Sequence, residues 1–302
     1  LSRQNNAGLY SVMDQTIKTG DGSITCYSEA YGEHFHSLSG AATEAREKFT
    51  VPALITTDII KRPTIAVLDI GFGLGYNAAA AYTAVRTEAP AAHLSLDSIE
   101  RDAATLAMAQ RLHLNDPVAA TLIASLSEAH FYSGNNTDAL LYIGDARSVV
   151  QTLDRLYDAI FLDAFSTKKN TELWTYDLFL RLKDRLLPHG VIVTYSAAYP
   201  VISAFMKAGF IVKQTKPVGR TTGGTIASLT DYAAFHPIDA VRDNERLATT
   251  GVLCYRDETL TASAADIGAR YESEKKALIA SGVSSIKRYR KRLSSGGLDD
   301  GS

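Results

Sequence analysis

The sequence predicts an α/β fold of Rossmann-like form: a mostly parallel sheet of seven strands with helices on both faces. Three observations predict it. Short apolar runs alternate with helix-length segments from residue 64 to 228, the rhythm of a parallel sheet built from crossover units. The run from Ile65 to Ile70 breaks into Gly71-Phe72-Gly73-Leu74-Gly75-Tyr76-Asn77, and an alanine-rich helix follows. Acidic residues then stand at or just past the ends of the next predicted strands, at Glu100, Asp145 and Asp163. Open parallel sheets bind ligands beyond the carboxyl ends of their strands, where all these residues fall.

Element by element, residues 1–60 read as a hairpin-and-helix unit. Stretches 16–19 and 23–27 flank Gly20-Asp21-Gly22, a turn signal. Residues 41–49, rich in Ala, Glu, Arg and Lys, read as a helix. A core over 61–230 follows. It runs strand 65–70, helix 76–88, strand 93–99 and helix 103–112 with Asp102 as its cap. Residues 113–138 read as a helix plus a variable loop. Strand 140–143, helix 146–153, strand 158–162, helix 172–187 and a turn at Pro188-His189-Gly190 come next. Strand 191–195, helix 201–208 and strands 210–215 and 224–228 close the series. Residues 231–302 form a helical, basic tail. It holds a charged helix over 264–280, the run Ile286-Lys287-Arg288-Tyr289-Arg290-Lys291-Arg292, and a Gly/Ser/Asp-rich end over 294–302 whose composition predicts disorder.

Composition sets bounds. The 302 residues suffice for one large domain or two smaller ones, and 46% apolar with 21% charged residues is ordinary for a soluble globular protein. A formal net charge of −2 supplies no global field for nucleic acid, so any RNA contact needs a local basic patch. Two cysteines, Cys26 and Cys254, without a C-x-x-C pair argue against a disulfide framework and a zinc site. They fit a reducing, cytoplasmic setting. No apolar run is long enough to cross a bilayer, and no signal pattern opens the chain. The motifs of P-loop ATPases, zinc proteases and α/β-hydrolases are absent.

The glycine segment is G-x-G-x-G, with Tyr76 where a dinucleotide fingerprint wants its third glycine. That tilts the expected cofactor from NAD towards S-adenosylmethionine (SAM), held by Gly71, Phe72, Gly73, Gly75 and Asn77. Glu100 is placed to accept hydrogen bonds from ribose hydroxyls, which suits either cofactor. Asp145 can cap the next helix and can also accept from an adenine amine, with the backbone of Ala146 beside the ring. Asp163, at the tip of an apolar strand, can take a proton from an attacking amine or orient it. Phe165 and Trp174 are candidates to frame a planar substrate, with core packing the preferred role for Trp174. Lys168 and Lys169 suit phosphate or simply a solvated loop. His34 and His36 would share one strand face, but nothing nearby completes a ligand set, so no metal is expected. Glu33 is the better candidate there, for the ammonium of the cofactor or the amine of the substrate.

The segment Asp163-Ala164-Phe165-Ser166-Thr167-Lys168-Lys169-Asn170-Thr171-Glu172-Leu173-Trp174 resembles the D-[AG]-F-[AS]-P-x-K-N-P-x-[LM]-W signature of the MnmC-type methyltransferases. Glu33-His34-Phe35-His36-Ser37, then Gly40-Ala41 and Glu44, is similar to that family's N-terminal block. Gly71 to Asn77 is similar to its glycine loop, and Val193 to Ser196 and Gly219-Arg220 match in order. The resemblance covers about residues 20 to 228. It implies a class I SAM-dependent methyltransferase fold. The implied reaction carries a methyl group from SAM to the amine of 5-aminomethyl-(2-thio)uridine at the tRNA wobble position. Asp163 takes the place of the catalytic aspartate, and Phe165, Lys168, Lys169 and Arg220 face the substrate. The tail resembles the stand-alone branch of the family, without the FAD-dependent oxidase domain, so FAD is not expected. Thr167 and Thr171 replace two signature prolines, which predicts a more mobile substrate loop.

Other readings of the residues are a polyamine synthase-like aminopropyltransferase, a non-catalytic RNA-binding module using the basic tail, and an NAD dehydrogenase. Leu74, where aminopropyltransferases carry an acidic residue, opposes the first. The carboxylates at Asp163 and Glu33 oppose the second, and Tyr76 opposes the third.

Overall fold

Residues 16–34 form an antiparallel sheet of β1 (Thr16–Lys18), β2 (Ile24–Ser28) and β3 (Glu33–His34) in the computed structural model, which describes residues 16–110, 117–219 and 221–296. The turn is closed by Asp21, whose carboxylate accepts from Thr19 Oγ1 at 2.8 Å and from the Ser23 N–H at 3.0 Å.

The main sheet comprises β4 (Thr64–Ile70), β5 (His93–Glu100), β6 (Phe131–Gly134), β7 (Thr137–Ile143), β8 (Tyr157–Leu162), β9 (Leu186–Thr194), β10 (Ile211–Gln214), β11 (Thr225–Ser228) and β12 (His236–Pro237). Their spatial order is β12-β10-β11-β9-β8-β4-β5-β7-β6. β4 pairs in parallel with β5 on one side and β8 on the other. The chain therefore leaves β4 first towards β7 and later returns to build outward from β8. The carboxyl ends of β4 and β8 flank the point where strand order reverses, the ligand crevice of such sheets.

Every residue of β8 is buried, as a strand covered on both faces requires; its one charged residue, Asp158, accepts from the Ala66 N–H at 2.8 Å. Side chains alternate across the sheet, so neighbouring residues feed two cores. Phe161 joins Phe49, Leu54 and Tyr82 on one face. Leu162 joins Trp174, Phe179 and Phe205 on the other. Phe179 and Phe205 stack with ring centroids 3.9 Å apart.

Several elements depart from expectation. The sheet has nine strands among the described residues, because two edge strands flank the expected seven. One of them, β6, pairs with β7 through Asn135 and Asn136, whose φ values of 50° and 52° make a left-handed two-residue turn. The region read as a helix plus a variable loop is helix Pro117–Ala129 followed by this hairpin, which takes the place of the loop. Pro188-His189-Gly190 is not a turn between elements. It lies within β9, where the register against β8 jumps from Tyr157–Leu186 to Ala159–Val191. The helix expected over 172–187 is a short 3-10 turn, Thr171–Trp174, followed by helix Tyr176–Lys183 capped by Thr175.

The N-terminal helix continues past residue 49. It is α-helical over Ala41–Glu44 and has π spacing over Ala45–Ile55, with Pro52 inside. The wide turn tolerates a residue that lacks an N–H, and burial of Phe49, Ala53 and Leu54 carries the helix on. Helix Ala103–Ala109 starts at Asp102, whose side chain accepts from the Ala104 N–H; its expected end at 112 lies outside the described residues. The tail contains helix Ala264–Ala280 and helix Ile286–Gly296, so the segment expected to be disordered is helical as far as Gly296. Residues 297–302 lie outside the described residues. No helix among the described residues is long and apolar enough to cross a membrane.

Candidate active site

The glycine turn is built by backbone bonds between neighbouring strand ends. The N–H groups of Gly71 and Phe72 both donate to the Ile99 carbonyl at 3.0 Å. Gly71 has φ 92°, and a Cβ there would stand 2.4 Å from the Asp163 carbonyl oxygen. Only glycine lets the ends of β4 and β8 touch at this point. The Gly73 N–H donates to Glu100 Oε2 at 2.8 Å, and the Asp102 N–H donates to Oε1 at 2.9 Å. Glu100 thus holds the turn and the start of the next helix together. Burial pushes its pKa up.

A cavity of about 970 Å³ opens over these strand ends, at the upper end of the range for small-molecule sites. Gly71, Gly73, Ile99, Glu100, Gly144, Asp145 and Ala146 line one part, and Asp163, Phe165 and Ser166 line the next. The N-terminal segment covers it with Tyr31, Glu33, Phe35 and His36.

Asp145 caps helix Ala146–Thr152 through the Arg147 N–H, as expected. It also accepts from the Arg147 guanidinium, at 2.7 Å from Nη2 to Oδ2. Burial pushes the Asp145 pKa up, but these bonds to Arg147 more than offset that and leave it lowered. Arg147 in turn reaches Asp257 Oδ2 at 2.7 Å and the Ala262 carbonyl at 2.8 Å, latching the tail to the site. No sequence spacing announces this pairing.

Asp163 accepts from Asn77 Nδ2 at 2.7 Å. Burial raises its pKa to about 7, with the Asn77 bond pulling the other way. Asp69, one strand over, belongs to the same group, and sequence reading missed it. It is fully buried in β4, its Oδ1 has no hydrogen-bond partner, and Ser98 Oγ lies 3.5 Å from Oδ2. Burial, then the charge of Asp163, raises its pKa to about 8. A carboxylate inside an apolar strand covered on both faces was the signal that could have found it.

Glu33 accepts from the Ser166 N–H at 3.1 Å and from Ser166 Oγ at 2.5 Å. It thereby ties the N-terminal sheet to the loop after β8. Phe165 stacks on Tyr31 at 4.1 Å and meets Phe35 edge-on at 5.2 Å. Trp174 is buried and donates from Nε1 to the Phe165 carbonyl at 2.8 Å, so it packs in the core and positions Phe165. Thr171 Oγ1 donates to the Thr167 carbonyl at 3.0 Å, a bond between the two residues that stand where the signature has prolines.

His34 meets the Tyr27 ring edge-on and His36 meets Tyr76. β3 ends at His34, so the two histidines do not share a strand. Burial lowers the His36 pKa to about 4, leaving it neutral. Among the described residues no group of three or more His, Cys, Asp or Glu side chains is placed to hold a metal. Glu44 and Lys48 form an ion pair on the cavity wall, and Ser37 donates to Glu44 from Oγ at 2.6 Å. Lys48 is among the wall residues that sequence reading missed. Phe72 is 2% exposed and packs in the core, and Gly75 starts helix Tyr76–Glu88, so neither side of the turn's outer edge opens into the cavity. Lys168 and Lys169 are exposed on the loop, and Arg220 lies outside the described residues.

The donor set fits SAM. Glu100 presents a carboxylate at the end of the second parallel strand, and Ile99 and Ala146 add apolar wall to the same cavity. The strand-order reversal places the glycine turn beside Asp163. Fold and site together define a class I SAM-dependent methyltransferase. Comparison with known proteins agrees. Residues 113–230 match a family model described as S-adenosyl-L-methionine-dependent methyltransferase. Uncharacterized protein MJ0670 of Methanocaldococcus jannaschii is 32% identical, over 81% of this chain and 68% of its own length. The tRNA 5-methylaminomethyl-2-thiouridine biosynthesis bifunctional protein MnmC of Thiobacillus denitrificans is 29% identical, over 64% of this chain and 33% of its own. The chain thus spans about a third of the bifunctional relatives it matches. The crystal structure of MNMC2 from Aquifex aeolicus superposes with a TM-score of 0.75 at 28% identity, covering 90% of this chain and 92% of that one. The chain belongs to the MnmC-type methyltransferase family.

Proposed function

We propose that this chain methylates the amine of 5-aminomethyl-(2-thio)uridine at the tRNA wobble position, giving the 5-methylaminomethyl nucleoside. The observation that carries this reading is Asp163. It lines the cavity beside the glycine turn, is fixed by Asn77, and has a pKa raised to about 7. The names of the bifunctional relatives support the substrate class.

SAM supplies an electrophilic methyl group when bound. Glu100 takes the ribose hydroxyls through lone pairs left over from its two backbone bonds, and Asp145 with the Ala146 backbone meets the adenine edge. Phe165, held by Tyr31 and by the Trp174 bond to its carbonyl, packs against the pyrimidine. An alkylammonium must lose its proton before its nitrogen can attack carbon. Asp163 accepts that proton, and its raised pKa brings it nearer to neutrality, where a general base is most effective. Glu33 steers the amine end through the Ser166 loop. Lys168, Lys169 and Arg220 serve the RNA backbone.

The test is nucleoside analysis by mass spectrometry after incubation with SAM and tRNA bearing 5-aminomethyluridine. The expected result is a gain of one methyl group on that nucleoside alone. Methylation of another nucleoside, with the aminomethyl form untouched, would overturn the substrate assignment.

A further inference from the structure

A second cavity, of about 360 Å³, lies past the carboxyl end of β10 and away from the Asp163 site. Its walls include Gln214, Lys216, Thr222, His236, Asp239 and Arg242. Two nitrogen donors there are buried without a hydrogen-bond partner: Gln214 Nε2 and Arg242 Nη1. Buried donors are normally satisfied, and leaving one unsatisfied is costly, more so when it is charged.

The arginine is held in place by the rest of its side chain. Arg242 Nη2 donates to the Ala197 carbonyl at 2.8 Å, and the guanidinium lies 5.6 Å from the Tyr199 ring centroid. That leaves Nη1 fixed. The charges on the wall are Lys216 and Arg242 against Asp239, and one Asp239 oxygen already accepts from the Arg242 N–H at 3.1 Å as a helix cap. The base of the loop is closely packed. A Cβ on Gly223 would stand 1.8 Å from the Thr215 carbonyl oxygen, and the Gly224 N–H donates to Thr215 Oγ1 at 2.9 Å. The same loop reaches the main cavity, where Gly219 forms part of the wall.

We propose that this second cavity is an oxyanion site that takes a phosphate group, with Gln214, Lys216 and Arg242 as its donors. Three N–H donors on one wall, two of them cationic, match the acceptor oxygens of a phosphate better than any neutral or cationic ligand. Because Lys216 and Pro217 border this cavity and Gly219 borders the main one, a phosphate bound in the first fixes a wall of the second. On the proposed RNA-modifying reading, the phosphate belongs to the acceptor's backbone, and the pocket registers the strand while the base enters the main cavity.

The experiment is equilibrium binding of two probes, inorganic phosphate and an RNA stem-loop, at constant ionic strength. The proteins are the intact chain, Lys216→Ala and Arg242→Gln, with SAM affinity measured on each as a check of the fold. The site predicts that phosphate competes with the stem-loop on the intact chain. Each substitution lowers stem-loop affinity about tenfold, the effect of about 1.4 kcal/mol, leaves SAM affinity unchanged and abolishes the competition. Phosphate binding that both substitutions remove, with no effect on RNA, establishes the oxyanion site with free phosphate as its ligand. Unchanged affinity for both probes in both variants overturns it. No arm measures methyl transfer, so failure of the acceptor assignment would leave this result standing.

Discussion

Asn77 Nδ2 donates to Asp163 Oδ2 at 2.7 Å, which ties the first turn of the helix after the glycine loop to the tip of the neighbouring strand. A donor to a carboxylate favours its charged form, so this bond holds the Asp163 pKa below what burial alone would give. Asn77→Ala is expected to push that pKa above about 7 and to move the acid limb of the kcat/KM profile to higher pH. Activity measured on that limb falls about tenfold for every tenfold weakening of the acid and recovers in alkali. A pH–rate profile on both proteins checks it; superimposable acid limbs would contradict it.

Asp69 gives a stability prediction with a definite sign. Its folded pKa is raised from 3.8 to about 8. Its contribution to stability is therefore complete below about pH 4 and is lost as pH rises towards 8. Asp163 adds a loss of the same sign, ending near pH 7. Asp69→Asn cannot ionise, so it should lose less stability between pH 5 and 9 than the parent protein, by a few kcal/mol. Denaturant unfolding at the two pH values measures the difference. Equal losses in both proteins would show that Asp69 is not buried as a neutral acid.

The main sheet and most of the candidate site were legible because they depend on local signals. Three alternating glycines after an apolar run mark a strand–turn–helix, and Glu100, Asp145 and Asp163 declare themselves by standing at strand ends. What was not legible depends on the completed fold. Arg147 meets Asp257 from far along the chain. The π-helical course of residues 45–55 follows from packing Phe49 and Leu54 against the sheet around Pro52. Phe72 sits in the cofactor motif, yet its side chain belongs to the core. The Asn135-Asn136 turn also has a local signal, since two adjacent asparagines tolerate the left-handed conformation that hairpins need.

Gly71→Ala tests the contact between β4 and β8. The new Cβ would meet the Asp163 carbonyl oxygen at 2.4 Å on a backbone with φ 92°. The expected cost is on the order of 3 kcal/mol, with weakened SAM binding. Thermal unfolding and calorimetric SAM titration check it. An unchanged melting temperature would mean that the strand ends are not in backbone contact.

Thr171→Val tests whether a hydrogen bond stiffens the loop where relatives use proline. It removes the 3.0 Å bond to the Thr167 carbonyl while keeping the shape of the side chain. The expected loss is about 1 kcal/mol of stability, with a raised KM for the acceptor and an unchanged dissociation constant for SAM. Steady-state kinetics with each substrate varied in turn separates these. A change in SAM affinity alone would place the bond's effect elsewhere.

The central claim is that Asp163 activates an amine for methylation, and label transfer tests it most directly. Radiolabelled SAM is incubated with aminomethyluridine tRNA, with fully modified tRNA and with putrescine, using the parent protein and Asp163→Asn. The account predicts label in the aminomethyl tRNA alone. In the Asp163→Asn protein the rate drops by about 10²–10⁴ while SAM still binds. Label of equal rate in both proteins, or label entering putrescine instead, would contradict it.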